Sequence, residues 1–485
     1  MHLSPRRALL WSFAERYASF VVTVASTLLL ARLLTPAQVG VYSLCAALGT
    51  IAAILRDFGV SEYLIQERDL TRDKVRSAFG VALVTAWVLA ALVFFSRGAL
   101  ARYFNEPGVA QVLAVTTLHF LILPLSSPAF ALLNREMAFH RIFVLQLACN
   151  AAHAATSVLL AWRGYGTMSL AWGPVVHVTL QTLLLAWMRP ADSFVLPAFT
   201  QARAVLRFGA AYMSSRTIET LAQNFHEPVI AKAFDFASVG LFSRAVGMVE
   251  MFRTHVADAI TRVATPAFAA EHRAGRPVAG VFVRATAIFA CISWPFFGFV
   301  ALAAPEIVRV LFGAQWVAAT PLASVLALAA LPSGLYEFVP QMFSATGQVR
   351  RRLLLSLWLS PLHMAAVLAA SLIGLQAVAA ASVFSSLVML FLCGWHLRQA
   401  LALRAIEWLG PCASGAAVAG VSVAAQWATL AACRGAGSPA IVTLLAGLAS
   451  GIAAWLLMAM ALRHPALAEL RAAWRLLRPQ AAAAP

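Results

Sequence analysis

Long apolar stretches recur along almost the whole chain. Windows of about 20 apolar residues are long enough to cross a bilayer as helices. Fourteen such spans are predicted, near 8–31, 39–65, 77–96, 109–133, 142–161, 166–188, 205–231, 238–261, 282–303, 319–343, 353–373, 376–397, 408–431 and 439–462. A chain of 485 residues that is 61% hydrophobic and only 11% charged cannot bury so much apolar surface in water. The sequence therefore predicts an all-α polytopic membrane protein with about 14 transmembrane helices. Prolines in the spans near 109–133 and 319–343 predict that these two are kinked or broken.

The net charge of +17 does not indicate a nucleic-acid partner, because the basic residues follow the predicted topology. The connections on one side of the membrane and the two termini contain 24 Lys and Arg residues, whereas the connections on the other side contain seven. The positive-inside rule places the basic side in the cytoplasm, and both termini with it. The excess charge favours contact with the anionic headgroups of the lipid bilayer.

A sequence repeat relates the two halves of the chain. "AQVGVYS" at 37–43 recurs as "ASVGLFS" at 237–243, and the offset of 200 continues upstream without a gap, so that Arg16 matches Arg216. We interpret this as a duplication of six-helix bundles in the same membrane orientation, an arrangement of transporters whose substrate site lies between the halves. The predicted domains are an N-terminal bundle over 1–189, a cytoplasmic linker over 190–204, a C-terminal bundle over 205–400, and two additional helices with a basic cytoplasmic tail over 401–485.

Polar residues follow one face of the first helix of each bundle. They are Ser12, Arg16, Ser19, Thr23 and Thr27 in the first helix, and Arg216, Glu219, Gln223 and Glu227 in the seventh. Steps of three and four residues keep these side chains on one side of a helix. Hydroxyls that bond back to their own helix would explain Ser19 or Thr23 alone, but not an arginine with two glutamates. We therefore predict that this face lines a water-filled cavity.

Intramembrane arginines are the candidate substrate-binding residues: Arg16, Arg56, Arg216 and Arg244. Because a guanidinium stays charged and offers paired donors, this series suits a phosphate or diphosphate group. Candidates for further cavity contacts or for ion coupling are Asp57, Glu219, Gln223, His226 and Glu227. Asp57 either neutralises Arg56 or titrates during transport, and the sequence leaves both open. Arg253 is interpreted as the partner of Glu250 in a structural ion pair. The histidines interpreted as packed core groups are His119, His153, His177 and His363.

The sequence predicts neither a cofactor nor a metal site. The six cysteines form no C-x-x-C pair, and no nucleotide-binding loop or catalytic motif is found, so the chain is predicted not to be an enzyme. Energy for transport must then come from an ion gradient or from the gradients of substrate and product.

Three stretches carry a family resemblance. "RRALLWSFAERYASFVVTVASTLLLARLLTPAQVGVYSL" with "DFGVSEYLIQ", and "NFHEPVIAKAFDFASVGLFSRAVGMVEMF" in the second half, resemble the Wzx-like polysaccharide flippases of the multidrug/oligosaccharidyl-lipid/polysaccharide exporter superfamily. The resemblance implies export of undecaprenyl-diphosphate-linked oligosaccharide, an exopolysaccharide or O-antigen precursor, across the bacterial inner membrane by alternating access. It also implies a polysaccharide polymerase and export machinery as candidate partners. His226 and Glu227 stand where this family often has an acidic and a basic residue.

Three other functions stay open. A membrane polymerase or glycosyltransferase needs a large periplasmic loop or an acidic cluster, whereas the predicted periplasmic carboxylates are chiefly Glu106 and Glu306. A cation–drug antiporter of the same superfamily needs a net acidic cavity, in contrast to the predicted arginines. A lipid II flippase shares the fold and the charge, and the sequence does not identify the sugar or the coupling ion.

Overall fold

The structure, a computed structural model, describes residues 5–57, 59–67, 69–193 and 195–469, and all regular elements in these ranges are helices. The chain divides into two compact units, residues 1–240 and 241–485. The helices of the first unit are α1 (Pro5–Leu33), α2 (Pro36–Asp57), α3 (Val60–Gln66), α4 (Arg72–Phe104), α5 (Pro107–Arg135), α6 (Phe139–Trp162), α7 (Thr167–Met188), α8 (Pro190–Ser193), α9 (Ala202–Gln223), α10 (His226–Ala233) and the start of α11 (Phe236–Phe252). The boundary between the units lies inside α11, and the predicted domain limits at 189 and 204 stay a prediction.

The second unit continues α11 through a π-helical turn into a further set of helices. They are the π-helix Arg253–Ala257, α12 (Asp258–Arg273), α13 (Ala279–Ile307), a second π-helix Val308–Phe312, the 3-10 helix Ala314–Ala319, α14 (Thr320–Ala330), α15 (Ser333–Tyr336), α16 (Val339–Ala345), α17 (Val349–Ser371), α18 (Leu375–Leu401), α19 (Ala405–Leu409), α20 (Cys412–Gly435) and α21 (Ala440–Ala461). The predicted break near 319–343 is confirmed, because this span is divided among α14, α15 and α16. By contrast, α5 continues as one helix through Pro124 and Pro128.

Two helices of the first unit and one of the second contact most of their neighbours. In the first unit α2 contacts α4, α5, α7, α9 and α10, and α5 contacts α2, α3, α4, α6, α7 and α8. In the second unit α13 contacts α12, α14, α15, α20 and α21. Phenylalanine dominates the core around α13. Its buried rings are Phe252, Phe268, Phe282, Phe289, Phe297, Phe338 and Phe343. Burial of such rings provides specific packing in a bilayer, where lipid chains give little hydrophobic drive for helix association.

The duplicated segments begin their helices in the same way. Thr35 and Gln38 cap α2 reciprocally: the Gln38 backbone N–H donates to Thr35 Oγ1 (3.3 Å), and the Thr35 N–H donates to Gln38 Oε1 (3.0 Å). At the equivalent position 200 residues later, Asp235 Oδ1 accepts from the Ser238 N–H (2.7 Å) and caps α11. Both caps satisfy backbone donors that the first turn of a helix leaves without a partner.

The two copies of the repeat also meet at their glycines. A Cβ atom on Gly40 would lie 1.7 Å from the carbonyl oxygen of Phe236, and one on Gly240 would lie 2.0 Å from the carbonyl oxygen of Pro36. The contact is reciprocal between repeat-equivalent residues, and all four lie in the first unit. Only glycine allows backbones to approach so closely.

The prediction of an all-α polytopic membrane protein is confirmed, but the count of fourteen spans is not. Within the described ranges, twelve helices are long and apolar enough to cross a membrane. The predicted spans near 205–231 and 238–261 are not among them. The first of these corresponds to α9 and α10, and α9 alone has four charged residues in its 22.

Candidate functional site

The polar face of α1 contacts α6. Ser19 Oγ donates to Glu15 Oε1 (3.3 Å) and accepts a hydrogen bond from Asn150 Nδ2 of α6 (2.9 Å). Arg16 lies on the same helix and is half-buried. The hydroxyl of Ser19 therefore belongs to an interhelical network of three residues. Sequence reasoning found Ser19 but missed Glu15 and Asn150, because the partner on α6 lies 131 residues away.

Arg56 lies in the last turn of α2 and packs against an aromatic ring of α5. Its guanidinium carbon is 5.4 Å from the centre of the Phe120 ring, which is buried, and Arg56 itself is half-buried. The Thr85 hydroxyl of α4 lies 3.1 Å from the backbone carbonyl oxygen of Arg56 and 2.8 Å from that of Val81 in its own helix. A ring face at this distance stabilises a guanidinium by cation–π attraction. The side chain of the neighbouring Asp57 lies outside the described part of the chain.

The predicted continuous polar face over 216–227 is wrong. The helix ends at Gln223, and a new helix, α10, begins at His226, so that Glu227 lies on a different element from Glu219. Pro228 gives a physical reason, since its nitrogen cannot donate the hydrogen bond that would continue α9 through this point. Glu219 is half-buried and Gln223 is exposed. The side chain of Arg216 lies outside the described residues.

His226 and Glu227 form a close pair at the start of α10. His226 Nε2 is 3.1 Å from Glu227 Oε1, and their side chains are 11% and 13% exposed. The other carboxylate oxygen of Glu227, Oε2, is buried and has no hydrogen-bond partner among the described residues. Both residues are among the predicted candidates for cavity contacts or ion coupling, and the structure places their side chains in contact.

Arg244 lies on α11 in the second unit, next to two aromatic rings. Its guanidinium carbon is 5.2 Å from the Trp316 ring and 5.9 Å from the Phe312 ring. Its Nε atom is buried and has no hydrogen-bond partner in the part of the chain that the structure describes. Arg244 and Arg56 are thus placed alike, with a guanidinium against an aromatic side chain, although they belong to different units.

The predicted ion pair of Arg253 with Glu250 is confirmed. Arg253 Nε donates to both carboxylate oxygens of Glu250, at 2.9 and 3.0 Å. Arg253 begins the π-helix that follows α11, and Glu337 and Asp258 also interact electrostatically with it. The sequence pattern predicted the local pair but missed Glu337, because that residue joins the group only through the fold.

The six cysteines are all free thiols, and no group of three His, Cys, Asp or Glu side chains in the described ranges could hold a metal ion.

Comparison with known proteins gives a family, several relatives and a fold. Residues 29–321 match the model of a family described as "Polysaccharide biosynthesis protein". The chain is 26% identical to the succinoglycan biosynthesis transport protein ExoT of Rhizobium meliloti (strain 1021), over 66% of this chain and 64% of the relative. It is 22% identical to the lipopolysaccharide biosynthesis protein WzxC of Escherichia coli (strain K12), over 66% of each chain. The match thus spans just under two thirds of the length of these relatives.

Solved structures show the same fold at low identity. A lipid II flippase MurJ in an inward closed conformation matches with a TM-score of 0.76 and 12% identity, over 94% of this chain and 99% of that chain. An inward-facing multidrug resistance MATE family transporter of the MOP superfamily matches with a TM-score of 0.64 and 15% identity, over 79% and 94%. The resemblance found in the sequence is confirmed, and the protein is a multi-pass membrane protein.

Proposed function

We propose that this chain, which belongs to the family of polysaccharide biosynthesis proteins, is a flippase. It moves an oligosaccharide linked to undecaprenyl diphosphate from the cytoplasmic to the periplasmic leaflet of the bacterial inner membrane by alternating access. Both termini then lie in the cytoplasm, in agreement with the distribution of Lys and Arg. A polysaccharide polymerase and export machinery would take over the product, and no covalent chemistry is required of the protein itself.

The observation that carries this proposal is the setting of the intramembrane arginines. Arg56 lies against the Phe120 ring, and Arg244 lies against the Trp316 ring with its Nε buried and without a hydrogen bond in the described part. A ring face stabilises a guanidinium by cation–π attraction, and a guanidinium recognises phosphate oxygens through its N–H donors. A buried donor without a partner is costly, so an anionic group that accepts from it would be bound favourably.

Within the first unit, Arg16, Arg56 and Arg216 are the proposed ligands of the diphosphate. Asp57 would keep Arg56 oriented before the substrate arrives. Phosphate favours arginine over lysine because the planar fork makes two parallel hydrogen bonds, whereas an ammonium acts as a point charge. Arg56→Lys should therefore retain part of the activity, and Arg56→Ala should abolish it.

The test is export of the lipid-linked precursor, measured at matched protein level in the membrane. The control is Arg97→Ala. Like Arg56, Arg97 lies against a phenylalanine, with its guanidinium carbon 3.8 Å from the centre of the Phe94 ring, but it is located near the C-terminal end of α4. We expect Arg97→Ala to transport normally. If Arg56→Ala with Asp57→Ala transports as well as the parent, the two charges only stabilise the fold, and the phosphate-binding role of Arg56 has to be dropped.

A second assay, with purified protein in liposomes, separates the alternative cargoes. Liposomes that contain the purified protein can be supplied with undecaprenyl-diphosphate oligosaccharide, with lipid II or with a cationic dye. We expect translocation of the oligosaccharide substrate. Exclusive movement of lipid II or of the dye would replace the proposed function with that of a lipid II flippase or a drug antiporter.

A further inference from the structure

Three histidines that the sequence presents as separate core residues converge in the first unit. The rings of His153 on α6 and His177 on α7 have centroids 6.3 Å apart, with planes at 85°. His119 Nδ1 on α5 is 3.3 Å from the carbonyl oxygen of Pro174 on α7. All three side chains are half-buried. Each lies at least nine residues from either end of its helix, about 13 Å along the axis, and so deep in the bundle.

The surroundings of His153 bring its ring close to α7. A Cβ on Gly173 would lie 2.7 Å from His153 Nε2 and 2.3 Å from Ser157 Oγ, so a larger residue at this position would displace both. Ser157 is fully buried, and its hydroxyl has no hydrogen-bond partner among the described residues. A buried hydroxyl without a partner is uncommon in native proteins and calls for an explanation. Here it lies beside an imidazole, a group that can donate or accept according to its protonation.

Charged groups around the cluster set its electrostatics. His119 interacts electrostatically with Arg56 of α2 and with both other histidines, and His177 bonds to the backbone of Cys149 on α6. The remaining charged or titratable groups lie on other elements packed against α5, α6 and α7. Among the residues whose side chains the structure describes, they are Glu15, Arg16, Tyr17 and Arg32 on α1, Tyr42 and Cys45 on α2, Tyr63 on α3, Arg72, Asp73, Lys74, Arg76, Arg97, Arg102 and Tyr103 on α4, and Asp192 on α8. The three helices themselves also contain Arg135 on α5 and His140, Arg141 and Cys149 on α6.

We propose that His119, His153 and His177 form one proton-binding site in the first unit, and that a proton bound there favours diphosphate binding at Arg56. Imidazole is the side chain that changes charge near neutral pH, and neighbouring imidazoles share protons as a coupled group. A proton on the cluster adds positive charge next to Arg56, and a diphosphate neutralises it. The two binding events therefore favour each other by the same factor. The second part of this proposal rests on the proposed function, whereas the first does not.

Histidine hydrogen–deuterium exchange, followed by mass spectrometry on the purified full-length protein between pH 4 and 9, tests the site without a transport assay. We expect the three histidines to titrate as a coupled group, and His153→Asn to move the exchange midpoint of His177 to higher pH by about one unit, since a like charge has been removed. The control is His363→Asn on α17, where His363 Nδ1 is bonded to Ser385 Oγ (2.8 Å), and it should leave the cluster unchanged. If His153→Asn does not accumulate in the membrane, Gly173→Ala is used in its place, because it displaces the same ring. The titration curves of the parent protein test the coupling of the three histidines without any variant.

Farnesyl diphosphate is the probe for the link to Arg56. Adding farnesyl diphosphate to the parent should raise the pH at the midpoint of exchange of the three histidines. Adding it to Arg56→Gln should not change these midpoints. Independent titration of the three residues, or no titration between pH 4 and 9, overturns the proton site. Coupled titration that the probe does not shift overturns the link to Arg56 and retains the proton site. Export that fails while the cluster still titrates as a group overturns the proposed function instead.

Discussion

The reciprocal contact of Gly40 and Gly240 gives a stability prediction that can be worked out from distances. A Cβ on Gly40 would lie 1.7 Å from the backbone oxygen of Phe236. Carbon and oxygen atoms in close contact are about 3.3–3.6 Å apart. The neighbour is backbone and cannot rotate away, so Gly40→Ala forces α2 and the start of α11 apart by about 1.5 Å or more at this point.

We expect this separation to destabilise the first unit by about 1–3 kcal/mol, the usual cost of overpacking a tight interface. A loss of 2 kcal/mol changes the unfolding equilibrium about 30-fold. Gly240→Ala should cost a similar amount, because its Cβ would meet the oxygen of Pro36 at 2.0 Å. The double variant should cost less than the sum of the two, since one separation of the helices relieves both clashes.

Thermal and denaturant unfolding of the purified protein in detergent measures these differences. Two glycines on the same helices serve as matched controls. Gly49 on α2 has only an ordinary contact of 3.8 Å at the Cβ position, and Gly247 on α11 has nothing within 4 Å. Alanine at either control should be neutral or slightly stabilising, because alanine is the better helix former. If Gly40→Ala is as stable as Gly49→Ala, the close approach of the two repeat copies is not a feature of the folded protein.

Two further predictions concern polar contacts between helices. Glu306→Gln should destabilise the second unit by about 1–3 kcal/mol in thermal unfolding, because Arg434, which is itself exposed, donates through Nε and Nη2 to the buried carboxylate at 2.8 Å. Glu271→Gln, in an ion pair at the surface, should have a clearly smaller effect because solvent screens exposed pairs, and it serves as the control; an equal loss in both would contradict the reasoning. Asn150→Leu should cost about 0.6 kcal/mol in the same assay by removing the hydrogen bond to Ser19, and no change would show that this bond contributes nothing to stability.

Local patterns in the sequence were enough to predict the helices, the repeat and the short-range pairs. The predicted pair of Glu250 with Arg253 depends on residues only three positions apart. Such contacts follow from helix geometry, and so the sequence predicts them directly.

The groups that the sequence did not predict depend on contacts between distant segments. The histidine cluster comes from three helices, and each histidine alone has the pattern of an ordinary core residue. The Glu306–Arg434 pair joins residues 128 positions apart. The interruption at Asn224 and Phe225 had a local signal in Pro228, but the regular spacing of polar residues favoured a continuous helix. Long-range contacts of this kind need the fold.

The two spans that hydropathy does not support, α9–α10 and α11–α12, can be tested directly. Intramembrane charges are tolerated where they face other helices, and α9 packs against α2, α3 and α4. We therefore expect both segments to cross the membrane, which gives the fourteen spans of the sequence prediction. A cysteine at Ala233, at the exposed end of α10, should then react with an impermeant maleimide added to intact spheroplasts. The background carries Cys433→Ser, because the other five native cysteines are buried. A cysteine at Ala274, after α12, is the control: it should react only after permeabilisation, whether the protein crosses the membrane twelve or fourteen times. If Ala233→Cys also needs permeabilisation, the two segments stay on the cytoplasmic side, and the protein crosses the membrane twelve times.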